Sequence, residues 1–256
     1  MDPASALLLV LAGVAAGLAG SMAGLASLFS YPALLAAGLP PIAANVTNTV
    51  AMFSTTVGAA AGSHRELRGQ RRHIITLVGL AGAGGSLGAL LLLNTPPATF
   101  ELVVPWLIAL GCVLLLMRDP LRRLADARAQ GRERARRSTL PFACAVVLVG
   151  LYGGYFGAAA GVLMLAVLSL ALTEPLPVTN ALKNISTGAA NLVAALAYAF
   201  LAPVDWAAAG VLAVGCLIGS WTGPAFVRRL PERPLRIAIA LGGLGLAAHL
   251  WLSALA

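Results

Sequence analysis

Two kinds of chemistry stand out in this sequence: amide and ammonium side chains set among apolar residues, and glycine clusters that interrupt apolar segments. The side chains form two sets, Asn45, Thr47, Asn48 and Thr49, then Asn180, Lys183, Asn184 and Thr187. Helical spacing puts Asn45, Asn48 and Thr49 on one face, and likewise Asn180, Lys183, Asn184 and Thr187. Amides inside an apolar segment cost free energy unless a neighbour or a ligand pairs with them. Lys183 is the single lysine of the chain. An ionisable group in such a segment marks a functional site by default, although Lys183 also lies close enough to the segment's end to snorkel there.

The glycines run Gly17, Gly20, Gly24 and again Gly154, Gly157, Gly161. Each cluster breaks an apolar stretch, so a new helix starts after Gly24 and after Gly161. A helix start presents unpaired N–H groups and the positive end of the helix dipole, a combination that suits an anion. Gly20, Gly24, Gly157 and Gly161 therefore join the candidate substrate-binding residues. The same glycines also satisfy close helix packing of the small-xxx-small kind.

The elements that must position these groups are membrane helices. The 256 residues are 59% hydrophobic and only 10% charged, with a mean hydropathy of +0.90. So little polar surface cannot cover a soluble core, and lipid must be the solvent for most of the chain. The net charge of +8 does not point to nucleic acid, because all sixteen arginines fall in 63–73, 118–137 and 226–236. Between them run apolar segments of bilayer-spanning length. Arginine gathered in short loops is the positive-inside signal, which puts these three loops in the cytoplasm of a bacterial-type inner-membrane protein. The N-terminus lacks the basic start of a signal peptide and reads as part of the mature protein. Cys112, Cys144 and Cys216 sit in apolar segments without metal-ligand spacing. There is no mid-span carboxylate, metal-ligand cluster, P-loop or triad pattern, so the reading is a non-enzyme with no cofactor and no metal.

Shifted against itself, the chain repeats. The glycine triplets align at an offset of 137; after a two-residue length difference Asn45 aligns with Asn180, Gly84 with Gly219, Gly88 with Gly223 and Pro96 with Pro231. This predicts a first membrane repeat over 1–117, a basic cytoplasmic linker over 118–139 and a second repeat over 140–256. Each half reads as five apolar pieces, or four if its two short leading pieces are one helix, giving about 8–10 helical segments. Loop charge arbitrates. Loop 63–73 is basic while its counterpart around 202–204 has no arginine; 94–99 has none while 226–236 has four. Equivalent loops then lie on opposite sides of the membrane, which requires an odd number of crossings per half. The expected fold is all-α: a polytopic membrane protein of two inverted-topology repeats, with broken or re-entrant helices meeting at the midplane.

Over nearly its whole length the chain resembles the TauE/SafE family, the sulfite exporters. The resemblance is carried by Gly17–Gly24 with Pro32, by Gly38-Leu39-Pro40-Pro41 leading into Ala44–Asn48, and by Gly153–Gly161. Thr179–Asn184, Pro203-Val204-Asp205-Trp206 and Gly215–Gly223 before Arg228-Arg229 extend it. The chain departs at Ser21 and Ala23, where the family is often richer in glycine. The resemblance implies transport of a small sulfur-containing or organic anion such as sulfite or a sulfonate. Taken with the residues, it implies export by alternating access that does not require a coupling ion, since an inside-negative potential favours anion exit by about 2.3 kcal/mol per charge per 100 mV; whether a proton, sodium or no ion is coupled stays open. Two rivals stay open: an uptake porter for another oxyanion such as thiosulfate, and a non-transporting membrane scaffold subunit that binds a partner through 118–137. The expected partners are a small anionic substrate and the lipid bilayer, with no nucleic acid; a homo-oligomer is compatible with the sequence.

Overall fold

The computed structural model describes residues 2–117, 119–120, 139–226 and 232–255. Nearly all of the basic linker 118–139, with every one of its arginines, lies outside the described residues, as do Arg228 and Arg229. Among the described residues there are ten helices and no strand. The first half contributes α1 (Pro3–Ala23), α2 (Ser27–Ala36), α3 (Pro41–Gly62), α4 (Arg71–Leu93) and α5 (Pro97–Leu116). The second contributes α6 (Thr139–Tyr155), α7 (Ala160–Ala171), α8 (Leu176–Leu201), α9 (Trp206–Phe226) and α10 (Glu232–Leu255). Four of them, α1, α4, α5 and α8, are long and apolar enough to cross a membrane by length and composition.

The short leading pieces are separate helices because left-handed backbone ends the first of each pair. Gly24 has φ 71°, and the second break has Gly157 at φ 78° and Ala159 at φ 58°. Glycine enters this region without the Cβ penalty that other residues carry, which is why it stops helices.

Small residues then set how the helices pack. A Cβ on Gly13 would stand 2.5 Å from the Leu212 carbonyl oxygen, and one on Gly17 would stand 2.6 Å from the Ser220 nitrogen. Thus α1 and α9 lie backbone to backbone and run the same way. α6 lies on α4 in the same manner, Gly150 against Ala81 and Gly154 against Gly85. Each half's first helix therefore packs on the other half's fourth. α3 shares the direction of α1 and α9: Asp205 N, just before α9, donates to Thr47 Oγ1 at 3.0 Å near the start of α3, and Gly58 meets Ser220 near their ends.

α5 and α10 run opposite ways, and so do α3 and α8. In α5 and α10, Trp106 meets Trp251 at 6.3 Å between ring centroids, whereas Cys112 lies against Gly243. In α8, Val178 and Leu182 near the start share a core cluster with Leu67 and Ile74, beyond the end of α3. Tyr198, near the end of α8, donates to the Gly154 carbonyl, and the adjacent Tyr155 carbonyl accepts from Asn45 at the start of α3. It follows that α2 returns toward the end from which α1 departs, forming a hairpin. α2 has 10 residues and α7 has 12, about 15 and 18 Å of helix, roughly half of a ~30 Å bilayer core. The two hairpins touch where α2 and α7 begin: a Cβ on Gly24 would be 2.6 Å from Gly161 Cα, and the reverse is equally close.

One part of the sequence alignment needs correction. It pairs Gly84 with Gly219 and Gly88 with Gly223. In the packing, Gly84 sits on Val147 and Gly150 as Gly215 sits on Val10 and Gly13, and Gly88 sits on Leu151 as Gly219 sits on Val14. The equivalence is Gly84 with Gly215 and Gly88 with Gly219, one helical turn away. Glycines spaced by four match equally well in either register, and only the neighbouring helix selects between them.

Candidate functional site

A cavity of about 70 Å³ lies where the hairpins meet, beside the middles of α3 and α8. That is several times the ~10–15 Å³ a single water occupies. The first half lines it with Gly20, Gly24, Ser27, Met52, Thr55 and Thr56. The second half lines it with Gly157, Gly161, Lys183, Asn184, Thr187 and Asn191, with Val149, Gly150 and Gly153 behind them. The first turns of α2 and α7 border the space, and several of their leading N–H groups bond back to the hairpin turn: Leu28 N to the Leu25 carbonyl at 3.2 Å, Ala160 N to the Gly157 carbonyl at 3.1 Å and Val162 N to the Ala159 carbonyl at 2.9 Å. The same glycines also provide close packing, so one set of residues serves both purposes. Among the described residues Lys183 is the only ionisable one in this lining, and it is almost wholly buried, 1% exposed.

The other polar residues singled out by sequence occupy different places. Asn45 is fully buried; its Nδ2 donates to the Tyr155 carbonyl at 2.9 Å, while its Oδ1 has no hydrogen-bond partner among the described residues. Thr47 accepts from Asp205 N, as above. Asn48 accepts from Ser30 Oγ at 2.5 Å and donates to Ser27 Oγ at 3.3 Å. Thr49 Oγ1 donates to the Asn45 carbonyl at 3.0 Å. None of these four borders the cavity, and neither does Asn180. The α3 set ties α2, the second hairpin and α9 together at the end of the molecule where α3 starts.

Aromatic rings pack together at that end. Tyr31 packs edge-on against Phe156 at 5.2 Å, and Phe100 contacts Tyr155 at 5.9 Å and Phe156 at 6.4 Å between centroids. The turn of the second hairpin is pinned beneath them. Tyr198 Oη donates to the Gly154 carbonyl at 2.5 Å and Tyr152 Oη to the Ala158 carbonyl at 2.7 Å.

Sequence reasoning missed Ser27, Thr55, Thr56 and Asn191 as cavity residues. A signal for Asn191 was present, because it continues the Asn184–Thr187 face at the next helical turn. Thr56 lies opposite, close enough that a Cβ on Gly188 would run into its Cγ2. The aromatic plug had no signal, since Phe and Tyr in membrane helices are ordinary core or lipid-facing residues.

Comparison with known proteins adds an independent line. Residues 9–250 match the family described as sulfite exporter TauE/SafE. A Sinorhizobium protein named "Probable membrane transporter protein ORF9" is 27% identical over 247 residues, covering 94% of this chain and 90% of its own. "Probable membrane transporter protein YfcA" of Escherichia coli K12 is 28% identical over 243 residues, covering 92% and 85%. A "Probable membrane transporter protein" of Haemophilus influenzae is 27% identical over 217 residues, covering 84% and 82%. No solved structure matches the chain. Several membrane-length apolar helices, the family match over nearly the whole chain and these relatives agree: this multi-pass protein belongs to the TauE/SafE family of membrane transporters.

Proposed function

We propose that this protein exports a small sulfur-containing or organic anion, such as sulfite or a sulfonate, across the bacterial inner membrane by alternating access of two inverted halves. The observation that carries the reading is the cavity at the hairpin junction, where buried Lys183, the amides of Asn184 and Asn191 and two helix starts converge midway along α3 and α8. Non-helical backbone at that depth is tolerated only where it is buried in protein or lines a watery cavity. The opposed running of α5 and α10, and of α3 and α8, supports inversion, because a twofold axis in the membrane plane reverses every helix.

Helix direction also supports one cytoplasmic end. α3, α5 and α9 lead into the stretches 63–73, 118–137 and 226–236, and arginine-rich loops stay in the cytoplasm. Lys183 lies in the half of α8 nearer that end, the side from which an exporter loads. A membrane potential then assists anion exit without a coupling ion. Purified protein in liposomes tests this. Potential-driven efflux of sulfite or a simple sulfonate is expected, and its absence for both, in protein that retains its native melting transition, refutes the reading.

A further inference from the structure

We infer that the solute carries a hydrocarbon group on its anionic head: a short alkanesulfonate, in preference to an inorganic oxyanion such as sulfite. This deepens the proposed function and rests on it. The lining of the cavity is two-sided. Among the described residues its hydroxyls, amides and ammonium all come from α2, α3 and α8, with Ser27, Thr55, Thr56, Asn184 and Asn191 among them. By contrast, α6 and α7 give only glycines, Val149, Ala160 and Met164. Val149 and Met164 belong to one buried apolar cluster with Ala190, itself a lining residue. The asymmetry breaks the repeat. Ser27 and Met164 each stand three residues after the touching glycine of their hairpin, Gly24 or Gly161, so one hairpin offers a hydroxyl where the other offers a thioether. The Ser27 hydroxyl accepts from Asn48 Nδ2 at 3.3 Å, which leaves its own hydrogen to donate.

A bare oxyanion presents acceptor lone pairs all round, and those turned toward Val149 and Met164 would be buried without a donor, which costs free energy. Two leading backbone donors of α7 are already used, Ala160 N on the Gly157 carbonyl and Val162 N on the Ala159 carbonyl. An alkyl group removes that cost and buries its own apolar surface on the same wall. The flexible thioether of Met164 adapts to a small tail. The anionic head then faces the donors of α2, α3 and α8.

The test is competition in liposomes holding the full chain under a fixed potential, with efflux of labelled methanesulfonate and of labelled sulfite as readouts. The pH is set where sulfite is mostly singly charged, so that charge does not separate the solutes. Added on the loading side, ethanesulfonate should halve methanesulfonate efflux at a concentration about fourfold below that of unlabelled methanesulfonate. Sulfite should need on the order of tenfold more than ethanesulfonate. Val149→Thr, nearly the same shape with a hydroxyl on the apolar wall, should erase the gap between the two sulfonates, and Met164→Leu should keep it. Sulfite competing as well as ethanesulfonate, sulfite moving where methanesulfonate does not, or a gap unchanged in Val149→Thr overturns this inference and leaves the transporter reading standing. No efflux of either anion overturns both.

Discussion

The two sides of the hairpin junction hold equivalent residues in opposite states. Asn48 and Thr49 of α3 align with Lys183 and Asn184 of α8. On the α3 side, Asn48 and Thr49 are 2% and 5% exposed, satisfied by Ser27, Ser30 and the Asn45 carbonyl and capped by rings. On the α8 side, Lys183 and Asn184 border open space. The central lining pairs across the halves in the alignment, Met52 with Thr187 and Thr56 with Asn191. The cavity leaves this balance only toward Lys183. One architecture thus ties down the polar groups on one side and sets their counterparts on the other side against a cavity. The physical cause is local: Tyr155 and Phe156 fill the turn of the second hairpin, whereas the aligned positions in the first carry Leu18 and Ala19.

Breaking the junction itself should have the largest effect. Gly24→Val adds branched bulk at φ 71°, against Gly161 Cα, and should cost about 3 kcal/mol or more. Thermal melting in detergent checks it, and a native transition would mean the hairpins do not meet. Next, Asn184→Ala should cut methanesulfonate flux about tenfold through loss of a hydrogen bond to a charged solute, while Asn180→Ala, away from the cavity, should leave flux within about twofold. Equal losses in the two would dissolve the distinction between lining and non-lining amides.

Asn48→Ala tests the tied-down side. It removes the partner of two serine hydroxyls in a buried setting, at about 1–3 kcal/mol. Maleimide labelling of a cysteine at position 49, in a cysteine-free background, should rise in this variant; unchanged labelling would show that the serine–asparagine bonds are not what keeps that side buried. A smaller effect is expected where α3 and α8 cross. Gly188→Ala drives a methyl into Thr56 and should cost about 1–2 kcal/mol, and adding Thr56→Ser should recover much of it, because serine lacks the offending methyl. The smallest is Trp106→Leu, which gives up an edge-to-face pair with Trp251 worth about 0.5–1.5 kcal/mol and should not alter flux.

The match between Gly17–Gly24 and Gly154–Gly161 was readable because both the spacing and the interruption of an apolar run are one-dimensional features. The five pieces per half came from the same source, and so did the polar faces of α3 and α8. Their separate fates did not. Asn48 and Lys183 sit at aligned positions of similar polarity, and no periodicity tells which is tied down by serines from α2. The glycine register in α4 and α9 failed for a related reason: a four-residue repeat of small residues is degenerate along the chain.

What the amino-acid order decided by itself is everything that depends on solvent and local backbone: lipid-facing helices, breaks at glycine, and arginine confined to the loops and helix ends between them. What only the tertiary structure decided is which polar groups find partners and which face a space. That follows because an amide in a low-dielectric interior is satisfied by whatever lies within about 3 Å of it, and the atoms come from other helices, 18 residues away for Asn48 and Ser30 and 110 for Asn45 and Tyr155.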